Sequence, residues 1–415
     1  MSLPTELFDY VERADDAYRY TILSEAELGR GRMVDLELTS QVWKGLVWKH
    51  RLLVFIPDEP TAPDMTLLTI GADFSNPEDY YTGLGELSME SAGITCAFLF
   101  DVPNQPLFDG KVEDEIIAYT LVQYLDTGEA DWPLLLPMTR SVVRAMDAIQ
   151  ALMHAKGRFA PERFVTTGMS KRGWTTWLSA IVDKRVAGII PMVYDNLNLF
   201  AQLPHQTEVW TEYSEQISDY TDYNLPDRMQ TPEGFHLAQI IDPYTYRERL
   251  SLPKLIMNGA NDRYWATDAL NLYWDGLDGP KHVLYVPNGR HGLNDPQRVW
   301  SAALAFVQAV AAKTSLPSLQ WEYHETVSEL QLTVQTETPV AAARLWFAYS
   351  DSLDFRNSVW DPVPMTVTPA QCALTLALPE DGCLAVFGEI DFAATANSTY
   401  SLSTQVHIVD RRSSP

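Results

Sequence analysis

A chain of 415 residues is long enough for one or two domains with a large core. Its 46% hydrophobic and 20% charged residues exclude a disordered or fibrous class. A net charge of -25 argues against nucleic acid and anionic lipid as partners, because both are bound through Lys and Arg.

Three cysteines, Cys96, Cys372 and Cys383, are too few for a disulfide framework. Cys96 sits in an apolar run and reads as a small buried hydrophobe. Cys372 and Cys383 flank an expected hairpin over 374–382, and a bond between them is left open. The first residues, Met1-Ser-Leu-Pro-Thr-Glu-Leu-Phe8, lack a basic start and an apolar stretch, so no signal peptide is expected in this chain. No run of 18 apolar residues is present, and no membrane span is expected.

Along the chain, short apolar runs alternate with helical patterns for three quarters of the length. The runs lie at 52–57, 66–71, 94–100, 163–168, 186–193, 254–258 and 282–287. Near-continuous apolar runs of this length predict strands buried on both faces. Helices are predicted over 139–156, 172–182 and 296–312; in the first, Val142, Val143, Met146, Ile149 and Met153 recur at helical spacing. This alternation predicts an α/β fold, a mostly parallel sheet with helices on both faces.

From Tyr194 to Leu250 the rhythm breaks. Trp210, Tyr213, Tyr220, Tyr223, Phe235, Tyr244 and Tyr246 are spaced among acids. This stretch is expected to be an insertion, a lid over the C-terminal edge of the sheet, where open α/β sheets bind ligands. After Leu316 apolar and polar residues alternate without helical patterns, which predicts a small Ig- or fibronectin-III-like β-sandwich over 316–415, appended to an α/β domain over 1–315.

The strongest local signal is Gly168-Met-Ser170-Lys-Arg-Gly173, at the end of one predicted strand and the start of a helix. In a nucleophile elbow the serine occupies a sharp strand-to-helix turn, and a small residue two positions earlier makes room for it. The following backbone N–H, that of Lys171, then faces a developing oxyanion. Arg172 stands where the usual motif has its second glycine, and Gly173 comes one position late. The plainer alternative is a serine that caps an ordinary helix.

Chain order adds weight. α/β-Hydrolases run Ser, then Asp or Glu, then His, each after a strand. Here Asn258-Gly-Ala-Asn-Asp262 follows the run at 254–258, and Pro287-Asn-Gly-Arg-His291-Gly follows the run at 282–287. His291 is therefore the expected general base and Asp262 the residue that orients it. A turn aspartate is the alternative for Asp262; Asp268 is the reserve acid and Asp195 the third choice. The second oxyanion donor is expected from Gly71-Ala-Asp-Phe74, at the backbone of Ala72 or Asp73. Arg172 either points its guanidinium towards the oxyanion or lies exposed.

The chain resembles the PhoPQ-activated pathogenicity-related protein family of α/β-hydrolase-like proteins. The resemblance is carried by Gly168-Met-Ser-Lys-Arg-Gly-Trp-Thr-Thr-Trp177 and Asp183-Lys-Arg-Val-Ala-Gly-Ile-Ile-Pro191, by Val102-Pro-Asn-Gln-Pro106, by Glu113-Asp-Glu-Ile-Ile-Ala-Tyr-Thr120, and by Trp132-Pro, Leu136-Pro-Met-Thr139 and Arg144-Ala-Met-Asp147. It runs from Leu7 to about Trp346. It implies the hydrolase fold, the elbow at Ser170 and the trailing β-domain, and it leans towards an exported or periplasmic setting.

The expected activity is hydrolysis of an ester or amide, including short peptides, through a Ser170 acyl-enzyme. Trp210, Tyr264 and Trp265 are expected to contact a small-molecule or peptide substrate. Glu113 and Asp114 either hold the amino group of a peptide or form a solvated acidic helix start. No cofactor and no metal is expected. The alternative is a binding or signalling protein that keeps the fold without the chemistry.

Overall fold

The structure is a computed structural model that describes residues 3–74, 78–369, 371–395 and 398–412. The chain forms two compact units. The first contains residues 1–194, 218–253 and 310–313; the second contains 195–217, 254–309 and 314–415. The segment 194–250 is thus divided between the units near residue 217.

The first unit holds seven strands: β1 (Arg19–Leu28), β2 (Gly31–Trp43), β3 (Leu46–Pro57), β4 (Met65–Ile70), β5 (Thr95–Leu99), β6 (Arg163–Met169) and β7 (Val186–Met192). Their order is β1-β2-β3-β5-β4-β6-β7. The pairs β1–β2, β2–β3 and β3–β5 are antiparallel. The pairs β5–β4, β4–β6 and β6–β7 are parallel. The parallel strands are the apolar ones: Leu67, Leu68 and Ile70 of β4, Phe164 and Val165 of β6, and Ile189 and Ile190 of β7 are all buried. Strands bordered on both sides and covered on both faces tolerate few polar side chains.

Five helices of this unit matter for the site region: α1 (Glu6–Glu12), α2 (Glu78–Ala92), α3 (Glu113–Thr127), α4 (Leu135–Ala155) and α5 (Lys171–Val182). They cover both faces of the sheet, as strand alternation shows. His50 of β3 reaches Ser40, which meets Ser141 of α4. Phe55, five residues on and so on the opposite face, lies under Gly85 of α2, where even a Cβ would come within 2.2 Å of the ring. Helix α5 packs over β6 and β7, and every residue from Lys171 to Ile181 is buried.

In the second unit, β8 (Lys254–Gly259) and β9 (Lys281–Val286) are parallel. The rest of its strands are β10 (Gln320–Glu325), β11 (Glu329–Gln335), β12 (Ala342–Ser350), β13 (Asp361–Pro364), β14 (Thr366–Val367), β15 (Cys372–Ala377), β16 (Cys383–Thr395), β17 (Ser398–Ser403) and β18 (His407–Asp410). These strands form two antiparallel groups. One runs β10-β11-β15-β14; the other, β17-β16-β12-β13 with β18 on β16, joins β9 through β17 at Ser403 and Val283. The two groups face each other: a Cβ on Gly388 of β16 would lie 2.8 Å from Leu332 of β11.

The stretch between Cys372 and Cys383 is not a hairpin. β15 pairs with β11 and β14, whereas β16 pairs with β12, β17 and β18, so the connection passes from one sheet to the other. Both cysteines are buried and free. No helix among the described residues is long and apolar enough to cross a membrane.

Candidate active site

In the first unit, β6 ends at Met169 and α5 begins at Lys171, which leaves one residue for the turn. That residue, Ser170, takes φ 57° and ψ -125°. A side-chain-bearing residue occupies this region at a cost of about 1–3 kcal/mol, so the surrounding structure must hold it there. Ser170 N–H donates to Met192 O at 2.9 Å, and Ser170 O accepts from Trp174 N–H at 3.0 Å. Space explains the glycines. A Cβ on Gly168 would meet Arg172 O at 2.7 Å, and one on Gly173 would meet Met192 O at 2.8 Å. Gly173, one position late in the sequence motif, is thus the residue that lets the helix close on β7. No side-chain capping bond is made by Ser170, so the reading as an ordinary helix cap is not the one its conformation supports.

Lys171 and Arg172 follow immediately, and both are buried. Arg172 is therefore not an exposed arginine, and its guanidinium is occupied. Its Nη1 and Nη2 each donate to Glu113 at 2.8 Å, and its Nε donates to Val102 O at 2.5 Å. Lys171 Nζ donates to Glu113 Oε2 at 2.6 Å and lies 3.4 Å from Asp114. Tyr220 OH donates to Asp114 at 3.0 Å. Burial alone would raise the Glu113 carboxyl, but the hydrogen bonds and charges of Arg172 and Lys171 hold it well below the usual carboxylate range. Glu113 and Asp114 are thus neither a solvated helix start nor free to hold a peptide amine.

The loop after β4 lies beside this elbow. In the parallel ladder Ile70 is opposite Gly168, so residues 71–74 leave the sheet level with Ser170. Gly71 N–H donates to Leu99 O at 2.7 Å, and the carbonyls of Ala72 and Gly71 accept from Asp101 and Val102. Ala72 and Asp73 are exposed. Asp73 Oδ1 accepts from Gln105 Nε2 at 3.0 Å.

The second unit brings Asp262 and His291 together. Gly259 at the end of β8 is opposite Val286 at the end of β9, so both following loops leave one sheet edge. They touch closely: a Cβ on Gly259 would lie 2.0 Å from Arg290 O. Arg290 N–H donates to Asn261 Oδ1 at 3.2 Å. Asp262 is buried; its Oδ2 lies 2.7 Å from His291 Nδ1, and its Oδ1 accepts from Tyr264 N–H at 2.9 Å. A carboxylate accepting at Nδ1 places the ring proton there and leaves a lone pair on Nε2. His291 Nε2 is buried and makes no hydrogen bond among the described residues.

The other acids are committed elsewhere. Asp268 bonds His205 Nε2 at 2.8 Å, and that bond raises the His205 pKa. Asp195 is buried and accepts from Tyr273 OH at 2.6 Å. Burial pushes its carboxyl up to about 7, with the charges of Asp262 and Asp268 acting the same way against the Tyr273 bond. The aromatic residues surround the acid's loop. Tyr264 lies over His291, ring centroids 4.2 Å apart. Trp210 is buried with Val209, Ala266 and Ala269; Trp265 packs against this cluster and Arg356 lies over the Trp210 ring. Among the described residues no group of three or more His, Cys, Asp or Glu is arranged to hold a metal ion.

The profile of the PhoPQ-activated pathogenicity-related protein family matches residues 7–356. The chain belongs to this family. The matched span takes in Ser170, Asp262 and His291 and ends after β12, so β13–β18 of this PhoPQ-related chain lie beyond it. A Dictyostelium discoideum protein, autocrine proliferation repressor protein A, is 32% identical over 449 residues, which cover 98% of this chain and 90% of that protein. Two solved structures share the fold. Acetyl xylan esterase 1 from a Thermoanaerobacterium species has a TM-score of 0.53 at 15% identity, covering 74% of this chain and 94% of the esterase. An acetyl xylan esterase from a Paenibacillus species has a TM-score of 0.50 at 15% identity, covering 72% and 90%. The PhoPQ-related chain thus has the α/β-hydrolase fold, a mostly parallel sheet with helices, followed by antiparallel strands.

Proposed function

We propose that this PhoPQ-related protein is a serine hydrolase that cleaves an acyl bond through a Ser170 acyl-enzyme. The observation that carries the reading is the Asp262–His291 pair, hydrogen-bonded at 2.7 Å on two strand-end loops, downstream of a serine held at φ 57° in a strand-to-helix elbow. Ser170 Oγ attacks the carbonyl carbon while His291 Nε2 takes its proton; Asp262 holds the imidazole and stabilises the imidazolium. The Lys171 N–H and the backbone of Ala72 or Asp73 receive the oxyanion. Collapse expels the leaving group, which takes the proton from His291. Water, deprotonated by the same imidazole, then releases the acid and restores Ser170.

An ester is the favoured substrate class. Glu113 and Asp114, the carboxylates suited to a peptide amine, are engaged by Lys171, Arg172 and Tyr220. The fold relatives named above are esterases. Trp210, Tyr264 and Trp265 are assigned to the substrate wall, and the segment 194–250 to a lid over it. In this reading 1–315 is the catalytic domain and 316–415 an appended β-sandwich, in an exported protein.

A second reading is a binding or signalling protein on a silent hydrolase fold. It is favoured by the autocrine proliferation repressor among the relatives. Treatment with a fluorophosphonate probe separates the two. Covalent labelling of the wild type that is absent in Ser170→Ala supports the hydrolase; an unlabelled, folded wild type supports the silent protein.

A further inference from the structure

The first unit contains a polar chain that runs from the elbow to the loop after β4. Arg172 bonds Glu113 through two parallel hydrogen bonds, and Lys171 bonds the same carboxylate. Gln105 closes on Glu113 from the other side: its Oε1 accepts from Glu113 N–H at 2.8 Å, and its Nε2 donates to Glu113 Oε1 at 2.7 Å. The same Nε2 reaches Asp73 Oδ1 at 3.0 Å. A second strand of the chain leads from Arg172 Nε through Val102 O and on to Gly71, whose carbonyl accepts from Val102 N–H. Glu113 takes φ 53° at this junction, a conformation a residue with a side chain keeps only when its partners hold it.

We propose that Glu113 is a positioning residue that, through Gln105 and Arg172, sets the separation between the two halves of the oxyanion hole. One half is the Lys171 N–H on the elbow; the other is the backbone of Ala72 or Asp73. This inference rests on the serine-hydrolase reading. The physical need is plain. The tip of the 71–74 loop, Ala72 and Asp73, is exposed and is tied down by the Asp101 N–H to Ala72 O bond and by Gln105 on Asp73, and a hydrogen-bond donor displaced by about 1 Å loses much of its catalytic effect. Two buried cations next to the nucleophile have an evident use as the fixed end of such a strut, since their charges are already met by Glu113 and Asp114.

The test uses the full chain in three forms: wild type, Glu113→Gln and Gln105→Ala. The Gln105→Ala form leaves the Glu113–Arg172 pair in place and removes the Gln105 bonds to both Glu113 and Asp73, so it stays informative if Glu113→Gln folds poorly. Two quantities are read: kcat and KM for 4-nitrophenyl acetate, and hydrogen exchange of the amides at 71–74. The expected result is a fall in kcat of about 10- to 100-fold for Glu113→Gln, KM changing less than about twofold, and faster exchange at 71–74 in both variants. If the wild type is active but both variants keep its kcat and its exchange at 71–74, with only thermal stability reduced, the residues are merely structural and this inference is overturned alone. A folded wild type that neither hydrolyses the ester nor reacts with the fluorophosphonate overturns the hydrolase reading and this role together.

Discussion

His291 Nδ1 meets Asp262 Oδ2 at 2.7 Å although 29 residues separate them in the chain. The pair exists because β8 and β9 are parallel neighbours and end at the same level, at Gly259 and Val286. A second hydrogen bond, from Arg290 N–H to Asn261, ties the two loops beside it. Asp262 cannot swing away from the ring, because its other oxygen is held by Tyr264 N–H.

From this pair follows an order of severity among variants. Ser170→Ala is expected to lower ester hydrolysis by at least about 1000-fold and to remove probe labelling. His291→Ala should lose nearly as much, since the hydroxyl would lack a base. Asp262→Asn should retain about 10 to 100 times more activity than Ser170→Ala, because it disturbs orientation rather than removing a reacting group. Initial rates with a 4-nitrophenyl ester measure all three. Equal activity of Ser170→Ala and wild type would remove the serine from the mechanism.

Gly259 is predicted to be the least replaceable residue of the acid-and-base region. An added methyl would lie 2.0 Å from Arg290 O, a backbone atom on the loop that carries His291. Gly259→Ala should therefore lower stability by about 1–3 kcal/mol and displace His291 from Asp262. Thermal melting and hydrolysis rates should fall together. Unchanged activity in this variant would show that the two loops are not in register contact.

The buried Asp195 carboxyl, moved from an ordinary 3.8 up to about 7 chiefly by burial, gives a pH dependence with a definite sign. Between about pH 4 and 7 the folded chain keeps this proton while the unfolded chain has lost it. Its stabilising contribution is full below the lower value and is lost as the pH rises through the upper one, by at most about 1.4 kcal/mol per pH unit. Asp195→Asn cannot ionise. The stability of this variant relative to wild type should accordingly rise between pH 5 and 7.5, as read from urea midpoints. A constant difference across that range would mean that Asp195 is ionised throughout.

Glu389 supplies a stability prediction in the C-terminal strands. It is fully buried on β16 and is paired with Arg298 and Arg344. Removing one partner leaves a buried charge partly uncompensated, a change that costs about 3–5 kcal/mol when pairing is lost outright. Arg344→Ala should lower stability by a few kcal/mol on this scale, with Asp391 losing its partner as well. Denaturant melts measure it. A change below about 0.5 kcal/mol would place the Arg344 pairs with weak surface ion pairs.

The amino-acid sequence by itself determined the short, buried, mostly apolar strands. Apolar runs at 163–168, 186–193, 254–258 and 282–287 reappear as β6, β7, β8 and β9 with ends moved by a residue or so. It also carried the family, because Ser170-Lys-Arg-Gly-Trp174 is a local string. β1 escaped the reading because it is mostly exposed and its side chains follow no apolar run; β2 escaped it because, although mostly buried, it mixes Asp35, Glu37, Thr39, Ser40 and Gln41 among its apolar residues. α3 entered the reading only as an acidic helix start, one alternative for Glu113 and Asp114, although Ile116, Ile117 and Leu121 and the glycine at 128, left-handed at its end, are further helix signals present in the sequence.

What only the tertiary structure decided is where the charges go. Glu113 and Arg172 stand 59 residues apart, and nothing in either local pattern says that they meet. Read locally, an acidic helix start and an arginine after a serine are both surface features. Folding buries the arginine and turns the acid into its partner, because a desolvated guanidinium requires a carboxylate and the nearest one comes from another element. The same holds for Cys372 and Cys383. Eleven positions apart, they read as the two ends of a hairpin, and the packing of two sheets face to face places them on different ones. Periodicity is a property of neighbours in the chain and is legible there; pairing of buried polar groups depends on which surfaces the hydrophobic core brings together, and only the folded chain records that.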